Sequence, residues 1–272
     1  MKQKLILLLL FIFQAIAVNA TAQDQLLIEG TGDNQQLLRV LARAFEAETP
    51  GSKIIIPDSI GSSGGVRALV KGKCDMARLA RLLKEKETTM ADDLVSREFA
   101  LSPVLFVANL TDSCVDSLSY EQITDIFSGK INNWSQLGKC QSHEIYLAMR
   151  EVGDSSRNVL EQNIPGLSEI REPVGKVIYS TPETRQIIEE YPFTFSFLPK
   201  TAISSKMTVF ALNGIVANEK NIQKNEYPLV SPYSLVWRGE PSGLGQKFLD
   251  FVFSAKGAEI IRTMGAVPVS GN

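Results

Sequence analysis

The sequence predicts an α/β protein, because strand and helix patterns alternate along most of its 272 residues. Short apolar runs rich in β-branched and aromatic residues predict strands, and apolar residues at helical spacing predict helices between them. This alternation is typical of a sheet covered by helices. In three places, a loop of glycines and small polar residues leads into a predicted helix. Together these observations favour an α/β architecture with a polar site where loops and helix N-termini meet.

The order of the elements follows from the apolar pattern. Predicted strands occupy residues 25–29, 53–56, 74–77, 101–109, 145–149, 193–198, 208–212 and 234–238. Predicted helices occupy residues 35–48, 119–127 and 182–190, the segments after the loops at 61–65 and 150–157, and two segments near the C-terminus. Local signals mark three helix ends: Pro50-Gly51 terminates the first helix, Ser119 is an N-cap, and Pro182 stands near a first helical position.

The three loops are candidate anion-binding sites. They are residues 61–65 (Gly-Ser-Ser-Gly-Gly), 30–34 (Gly-Thr-Gly-Asp-Asn) and 150–157 (Arg-Glu-Val-Gly-Asp-Ser-Ser-Arg). A helix N-terminus carries unpaired N–H groups and the positive end of the helix dipole. Glycines let this backbone approach a ligand closely, and the serines add hydroxyl groups. Three such loops in one chain predict a protein that binds a small oxyanion.

Residues 1–22 have the pattern of a secretory signal peptide. Lys2 and Lys4 precede an apolar core at 5–18, and Ala20-Thr21-Ala22 is a suitable cleavage site. The core is short for a membrane span of ~20 residues, so an uncleaved anchor is the less favoured alternative. A periplasmic location is therefore expected. The net charge of −2, with no polybasic run, does not indicate nucleic-acid binding.

The three cysteines fit an exported protein. Cys114 and Cys140 both lie in polar, loop-like surroundings, and we expect them to form a disulfide, as exported cysteines commonly do. Cys74 lies in a predicted buried strand and is expected to remain an inert thiol. No metal site is predicted, because the chain has no Cys-x-x-Cys pair and His143 is its single histidine. No cofactor is predicted either.

The sequence resembles a known family, the periplasmic phosphate-binding components of ABC transporters. The most specific part is Phe-Ser-Gly-Lys-Ile-x-Asn-Trp, which falls at 127–134. The other matching segments are Gly61-Ser-Ser-Gly-Gly65, Gly72-Lys-Cys-Asp-Met-Ala77 followed by Arg81, Arg150-Glu151 with Gly153, and Tyr227-Pro-Leu229. The resemblance covers nearly the whole chain after the signal peptide.

The resemblance implies a type II periplasmic-binding-protein fold. Two α/β lobes would be joined by two crossover strands, near 101–109 and 228–236, with the ligand in the cleft between the lobes. The first lobe would comprise residues 23–104 and 230–272, and the second residues 105–229. Such proteins close their lobes around a ligand and deliver it to a transporter or sensor. The implied partners are phosphate or a related oxyanion and the membrane subunits of an ABC transporter, and the protein is expected to be a monomer.

The resemblance also implies a set of ligand contacts. Backbone amides of Gly32, Asp33, Ser63 and Gly64 and the hydroxyls of Ser62 and Ser63 would donate from the first lobe. From the second lobe, Ser155 and Ser156 would donate, and Arg150 would supply a bidentate charged donor. Asp75 matches a family aspartate that orients the arginine or accepts a phosphate proton, and Arg81 is a second candidate charge.

Two carboxylates depart from the family pattern. Asp154 stands where the family's third loop usually has a serine, and the first loop commonly has Ser or Thr where this chain has Gly32 or Asp33. An ionised carboxylate facing an oxyanion in a dry cleft opposes binding. We expect Asp33 and Asp154 to be N-caps rather than ligand contacts. Arg78 is expected to be a solvated surface charge.

These residues lead to three functional hypotheses. The predicted function is capture of phosphate or a related oxyanion for an ABC importer, and the alternative is a non-transport binding or sensor protein with an altered anion site. An enzyme, such as a serine hydrolase or phosphatase, is disfavoured, because no base is identified near Ser155 and Ser156. The single histidine of the chain would have to act as this base.

Overall fold

A computed structural model describes residues 24–111, 114–170, 172–241 and 243–269. The predicted signal peptide, residues 1–22, lies outside this part of the chain. The predicted α/β class is confirmed, and most predicted elements are present with ends displaced by a few residues. None of the helices in the described ranges is long and apolar enough to span a lipid bilayer.

The strands of the described residues are β1 (Asp24–Gly30), β2 (Ser52–Ile55), β3 (Met76–Leu79), β4 (Leu94–Ala108), β5 (Ser117–Leu118), β6 (Tyr146–Arg150), β7 (Lys176–Ile178), β8 (Thr194–Pro199), β9 (Thr208–Val209), β10 (Ala211–Leu212), β11 (Val230–Arg238) and β12 (Val267–Pro268). The helices are α1 (Gln35–Glu48), α2 (Ser62–Val70), α3 (Glu85–Thr88), α4 (Tyr120–Ser128), α5 (Ser155–Asn163), α6 (Thr181–Glu190), α7 (Glu219–Gln223), α8 (Gly243–Val252) and α9 (Ala255–Thr263).

Local sequence explains where several helices begin. Ser119 caps α4, and its hydroxyl accepts from the amide of Gln122 while the Gln122 side chain accepts from the Ser119 amide. Ser180 caps α6, and a proline occupies the first turn of this helix, where its missing N–H is not needed. Gly61 has φ +72°, which is outside the range of a right-handed helix, and α2 begins at the next residue, Ser62. The predicted loop at 61–65 is therefore mostly the first turn of a helix.

One mixed sheet runs through the molecule in the strand order β2-β1-β3-β11-β4-β8-β6-β7. Strands β4 and β11 form its centre as a long antiparallel pair, from Val230 opposite Pro103 to Arg238 opposite Leu94. Beyond this ladder, β4 continues and pairs with β8 from Val104 to Ala108. The two segments predicted as crossovers are thus β4 and β11, and β4 starts earlier than the pattern indicated.

The apolar core is divided on the two sides of this strand pair. Buried members of one cluster come from residues 26–100 and 233–266, with Phe45, Phe248 and Trp237 among them. Buried members of the other lie between residues 104 and 229, apart from Val267, and include a group of aromatic rings around Phe106 and Phe195. This division supports the predicted lobe boundaries, which remain a prediction.

The predicted disulfide joins Cys114 and Cys140, which are 26 positions apart with Cα atoms separated by 4.9 Å. Cys74 is a free, buried thiol just before β3. Burial raises the pKa of this thiol to about 11, which keeps it protonated and unreactive near neutral pH.

We expect the double substitution Cys114→Ser/Cys140→Ser to lower the free energy of unfolding by about 3 kcal/mol, because a loop of this length is no longer closed in the unfolded chain. Urea unfolding of the oxidised wild type and the variant measures the difference. Thiol titration of the denatured, unreduced wild type should give one reactive thiol, from Cys74. Three thiols would show that the pair does not form in solution.

Candidate functional site

The three predicted loops meet at the boundary between two parts of the molecule, called here the two halves. One half comprises the described residues of 24–104 and 230–269, and the other those of 105–229. The loop after β1 carries Gly32, and a Cβ atom at this position would lie 3.0 Å from Pro182 Cδ and 3.3 Å from Thr181 Cβ at the start of α6. A side chain at this position would force these neighbours to shift by a few tenths of an ångström, so glycine favours the close approach. The first loop and α6 belong to opposite halves, so the described structure is closed at this point.

Two helix N-termini are joined across the same boundary. Ser62 opens α2, Ser155 opens α5, and their hydroxyl oxygens lie 3.2 Å apart. Ser62 Oγ also accepts from the amide of Ala80 at 3.3 Å, after the end of β3. Because both helices point their N-terminal ends at this contact, the positive ends of both dipoles converge here.

Asp33 connects the two halves through its buried side chain. Its carboxylate accepts from the hydroxyl of Ser156 at 2.9 Å and from the hydroxyl of Thr181. Its side chain is wholly buried, and Arg150 Nη1 lies 3.9 Å from Asp33 Oδ1. The prediction that Asp33 is an N-cap is wrong: Asn34 holds that position before α1, and the Asp33 carboxylate reaches the other half instead.

Arg150, at the end of β6, lies beneath this contact and is buried. Its Nη2 is 2.8 Å from Asp154 Oδ2, its Nη1 donates to Thr181 Oγ1 at 2.9 Å, and its Nε donates to the Ile178 carbonyl at 3.2 Å. Burial alone would lower the pKa of Arg150, but Asp154, Asp33 and Glu151 outweigh this and raise it above its usual value. The guanidinium is therefore always charged.

Asp154 has the predicted capping role at the start of α5. Its Oδ1 accepts from the amide of Arg157 at 2.9 Å, and its Oδ2 pairs with Arg150. Burial and the nearby Asp33 carboxylate raise the pKa of Asp154 to about 7, although Arg150 acts in the opposite direction.

Ser63 and Arg81 form a separate cluster with Glu87, which the sequence reading missed. Arg81 donates to both carboxylate oxygens of Glu87 at 2.7 Å and to Ser63 Oγ at 2.8 Å, and Ser63 donates to Glu87 at 3.0 Å. Burial would raise the pKa of Glu87, but the bonds from Arg81, the Lys84 amide and Ser63 lower it below its usual value. The charge of Arg81 is therefore already paired.

Two predictions for charged residues near β3 are wrong. Asp75 lies before this strand, at the end opposite to the site, where it is exposed and accepts from the Leu27 amide at 2.7 Å. Arg78 is wholly buried, not solvated, and donates to the carbonyls of Thr31 at 2.9 Å, Pro57 at 2.8 Å and Ile28. Burial lowers the pKa of Arg78 to about 10. Arg78 thus holds the backbone around the first loop.

The structure therefore brings five of the predicted residues to one region, namely Gly32, Asp33, Arg150, Ser155 and Ser156, with Ser62 at its edge. Gly64 lies against Ile60, where an added Cβ would be 3.1 Å from the Ile60 side chain. The sequence reading missed Thr181, although its position just before Pro182 at a helix start was an available signal. Within the described ranges, no cluster of three or more His, Cys, Asp or Glu is arranged to hold a metal ion.

Two α/β halves that share a central strand pair, with polar groups of both meeting between them, define the architecture of type II periplasmic binding proteins. A family model described as the PBP superfamily domain matches residues 15–256. The chain therefore belongs to the PBP superfamily.

Individual relatives agree with this assignment. The chain is 26% identical over 251 residues to the phosphate-binding protein PstS of Bacillus subtilis, covering 92% of this chain and 82% of that protein. It is 22% identical to PstS of Borreliella burgdorferi, covering 97% and 98%. A candidate phosphate ABC transporter substrate-binding protein from Clostridium perfringens, solved with bound phosphate, matches with a TM-score of 0.79 at 22% identity, covering 91% of this chain and all of that one. The last likeness supports the fold.

The raised pKa of Asp154 predicts a pH dependence of stability. Between its ordinary value of 3.8 and about 7, the folded protein binds more protons at this group than the unfolded chain does, so this contribution to stability falls as pH rises through that window. Asp154→Asn retains a capping oxygen and removes the titration.

We expect the free energy of unfolding of the wild type, relative to Asp154→Asn, to decrease from pH 4 to pH 7, as measured by urea unfolding over that range. The control is Asp58→Asn, since the Asp58 side chain is 99% exposed. If the difference between wild type and Asp154→Asn does not change with pH, the carboxyl of Asp154 is not held in this environment in solution.

Proposed function

We propose that this protein is a periplasmic solute-binding protein that captures phosphate or a related oxyanion for an ABC importer. The observation that carries the proposal is the convergence of hydroxyl donors, two helix N-termini and one buried arginine, from both halves of the chain, on one region between them. Relatives of comparable length are phosphate-binding proteins.

The chemistry of these groups suits an oxyanion. Ser155, Ser156 and Thr181 supply hydroxyl donors, and Arg150 supplies a planar guanidinium suited to bidentate contact with oxygen atoms. Helix N-termini stabilise negative charge without adding a mobile counterion. The arrangement does not favour hydrolysis by a serine nucleophile, because His143 stacks on Phe193 with ring centroids 3.8 Å apart, beside the Cys114–Cys140 disulfide rather than beside Ser155 or Ser156.

The proposal includes the organisation of the chain and its location. A lobe of residues 23–104 and 230–272 and a lobe of residues 105–229 would separate and close by bending at β4 and β11, the two strands that connect them. A signal peptide at 1–22 would direct export, and the mature monomer would present the closed form to the membrane subunits of the transporter. The division of the apolar core supports these boundaries.

One observation favours the second candidate function, a non-transport binding or sensor protein with an altered anion site. The Asp33 carboxylate already accepts from Ser156 and Thr181, so these donors are occupied by a group of the protein itself. A protein in this condition binds oxyanions less tightly than one whose donors are free.

Isothermal titration calorimetry of the purified mature chain against phosphate, sulfate, arsenate and molybdate tests oxyanion capture. We expect a saturable heat of binding with phosphate or with one of the other three anions. Phosphate uptake is measured separately, in cells that lack their own phosphate-binding component and are supplied with this protein. Saturable binding without uptake in these cells would favour the sensor function. No saturable heat with any of the four would contradict oxyanion capture.

Arg150→Lys tests the charged donor. Lysine keeps the charge but cannot form the planar bidentate contact, so we expect the dissociation constant for phosphate to rise by about tenfold or more. Calorimetry measures the change, and Arg185→Lys is the matched control, since Arg185 pairs with Glu189 on the surface of α6. Equal affinities of wild type and Arg150→Lys would remove Arg150 from the set of ligand contacts.

A further inference from the structure

The Asp33 carboxylate has the surroundings that an oxyanion ligand would need. It accepts from the hydroxyls of Ser156 and Thr181, and its Oδ1 lies 3.9 Å from Arg150 Nη1. Asp33 belongs to the first loop, whereas the two hydroxyl donors and the neighbouring guanidinium belong to residues 105–229 on the other side of the central strand pair. A carboxyl group of one half is thus placed against two hydroxyl donors and a guanidinium of the other half.

The position of Asp33 is fixed by its backbone as well. Its carbonyl oxygen accepts from Thr201 Oγ1 and from the Tyr233 hydroxyl, each at 3.0 Å. Its amide donates to Thr31 Oγ1 at 3.3 Å, and the buried Arg78 donates to the Thr31 carbonyl. The carboxylate is therefore held against its donors by a loop with several independent attachments.

The arginines near this contact are already paired with carboxyl groups, so little positive charge remains to bind an additional anion. Arg150 faces three carboxyl groups, those of Asp33, Asp154 and Glu151, at 3.9, 2.8 and 3.3 Å. The neighbouring arginine on α5, Arg157, pairs with Glu161 at 2.7 Å and donates to the Arg150 carbonyl. An oxyanion placed beside an ionised Asp33 would therefore meet net repulsion at short range.

We propose that Asp33 is a built-in substitute for the oxyanion: it holds the two halves together without ligand, and an oxyanion binds only after displacing this carboxylate from Ser156, Thr181 and Arg150. The part concerning oxyanion affinity rests on the proposed function. In this scheme the ligand-free protein is mostly in a state that cannot bind, so the apparent affinity is reduced by the small fraction that is competent. Asp33 thereby sets both the resting conformation and the affinity of the site.

The experiment uses the mature protein and the variants Asp33→Asn and Asp33→Thr. Asparagine removes the charge at nearly constant shape, and threonine is a smaller residue with a hydroxyl. The control is Asp58→Asn, which removes an exposed carboxylate from the same half. Circular dichroism confirms that each variant is folded, calorimetry measures phosphate affinity, and small-angle X-ray scattering measures the radius of gyration without ligand.

For the Asp33 variants we expect the dissociation constant for phosphate to fall by about tenfold or more and the ligand-free radius of gyration to increase, with no change in Asp58→Asn. Phosphate should return the Asp33 variants to the compact form. If one Asp33 variant does not fold, the other gives both readouts.

Two other outcomes separate this proposal from the proposed function. If wild type and Asp33 variants bind phosphate equally and the ligand-free wild type is already extended, the role of Asp33 is overturned and phosphate capture stands. If the Asp33 variants are more extended than wild type but bind none of phosphate, sulfate, arsenate or molybdate, the closing role of Asp33 stands and oxyanion capture fails.

Discussion

The contact of the Asp33 carboxylate with Ser156, Thr181 and Arg150 connects the two halves of the molecule, and neighbouring side chains hold both sides of this contact in position. Removing a carboxylate from water is costly unless charge and hydrogen bonds compensate it. Here the two hydroxyl donors and the nearest guanidinium come from the opposite half. The loop that carries Asp33 is held in place by Thr201, Tyr233 and Arg78. The stability of this buried group therefore depends on the closed arrangement of both halves.

Backbone geometry makes this arrangement accessible. Gly32 lets the first loop approach α6, and Gly65 lets α2 lie directly on β1, where an added Cβ would be 2.8 Å from Gly30 Cα. Helix N-termini from both halves then point into the same region. In the PBP superfamily, to which this chain belongs, such convergence suits a ligand with many acceptor oxygens, and Asp33 provides two such oxygens from within the protein.

Much of the fold was predictable because the relevant signals are local. The apolar pattern of residues 35–48 matches α1, Ser119 and Pro182 mark helix starts, and the Cys114–Cys140 pair was predicted from composition and surroundings. Predictions failed where the same local sequence is compatible with more than one environment in the folded protein. Arg78 looks like an ordinary surface charge in sequence, and only the packed structure shows that it donates to three buried carbonyls.

The sequence by itself determined the α/β class, the three glycine- and serine-containing loops and the residue types able to bind an oxyanion, because periodicity, capping and loop composition act over a few neighbouring positions. The tertiary structure decided which of these groups meet. It placed Asp75 at the far end of β3, paired Arg81 with Glu87, and brought Asp33 to Ser156 and Thr181, which are 123 and 148 positions away along the chain. Contacts over such distances depend on how the two halves pack across β4 and β11, and no local pattern specifies that packing.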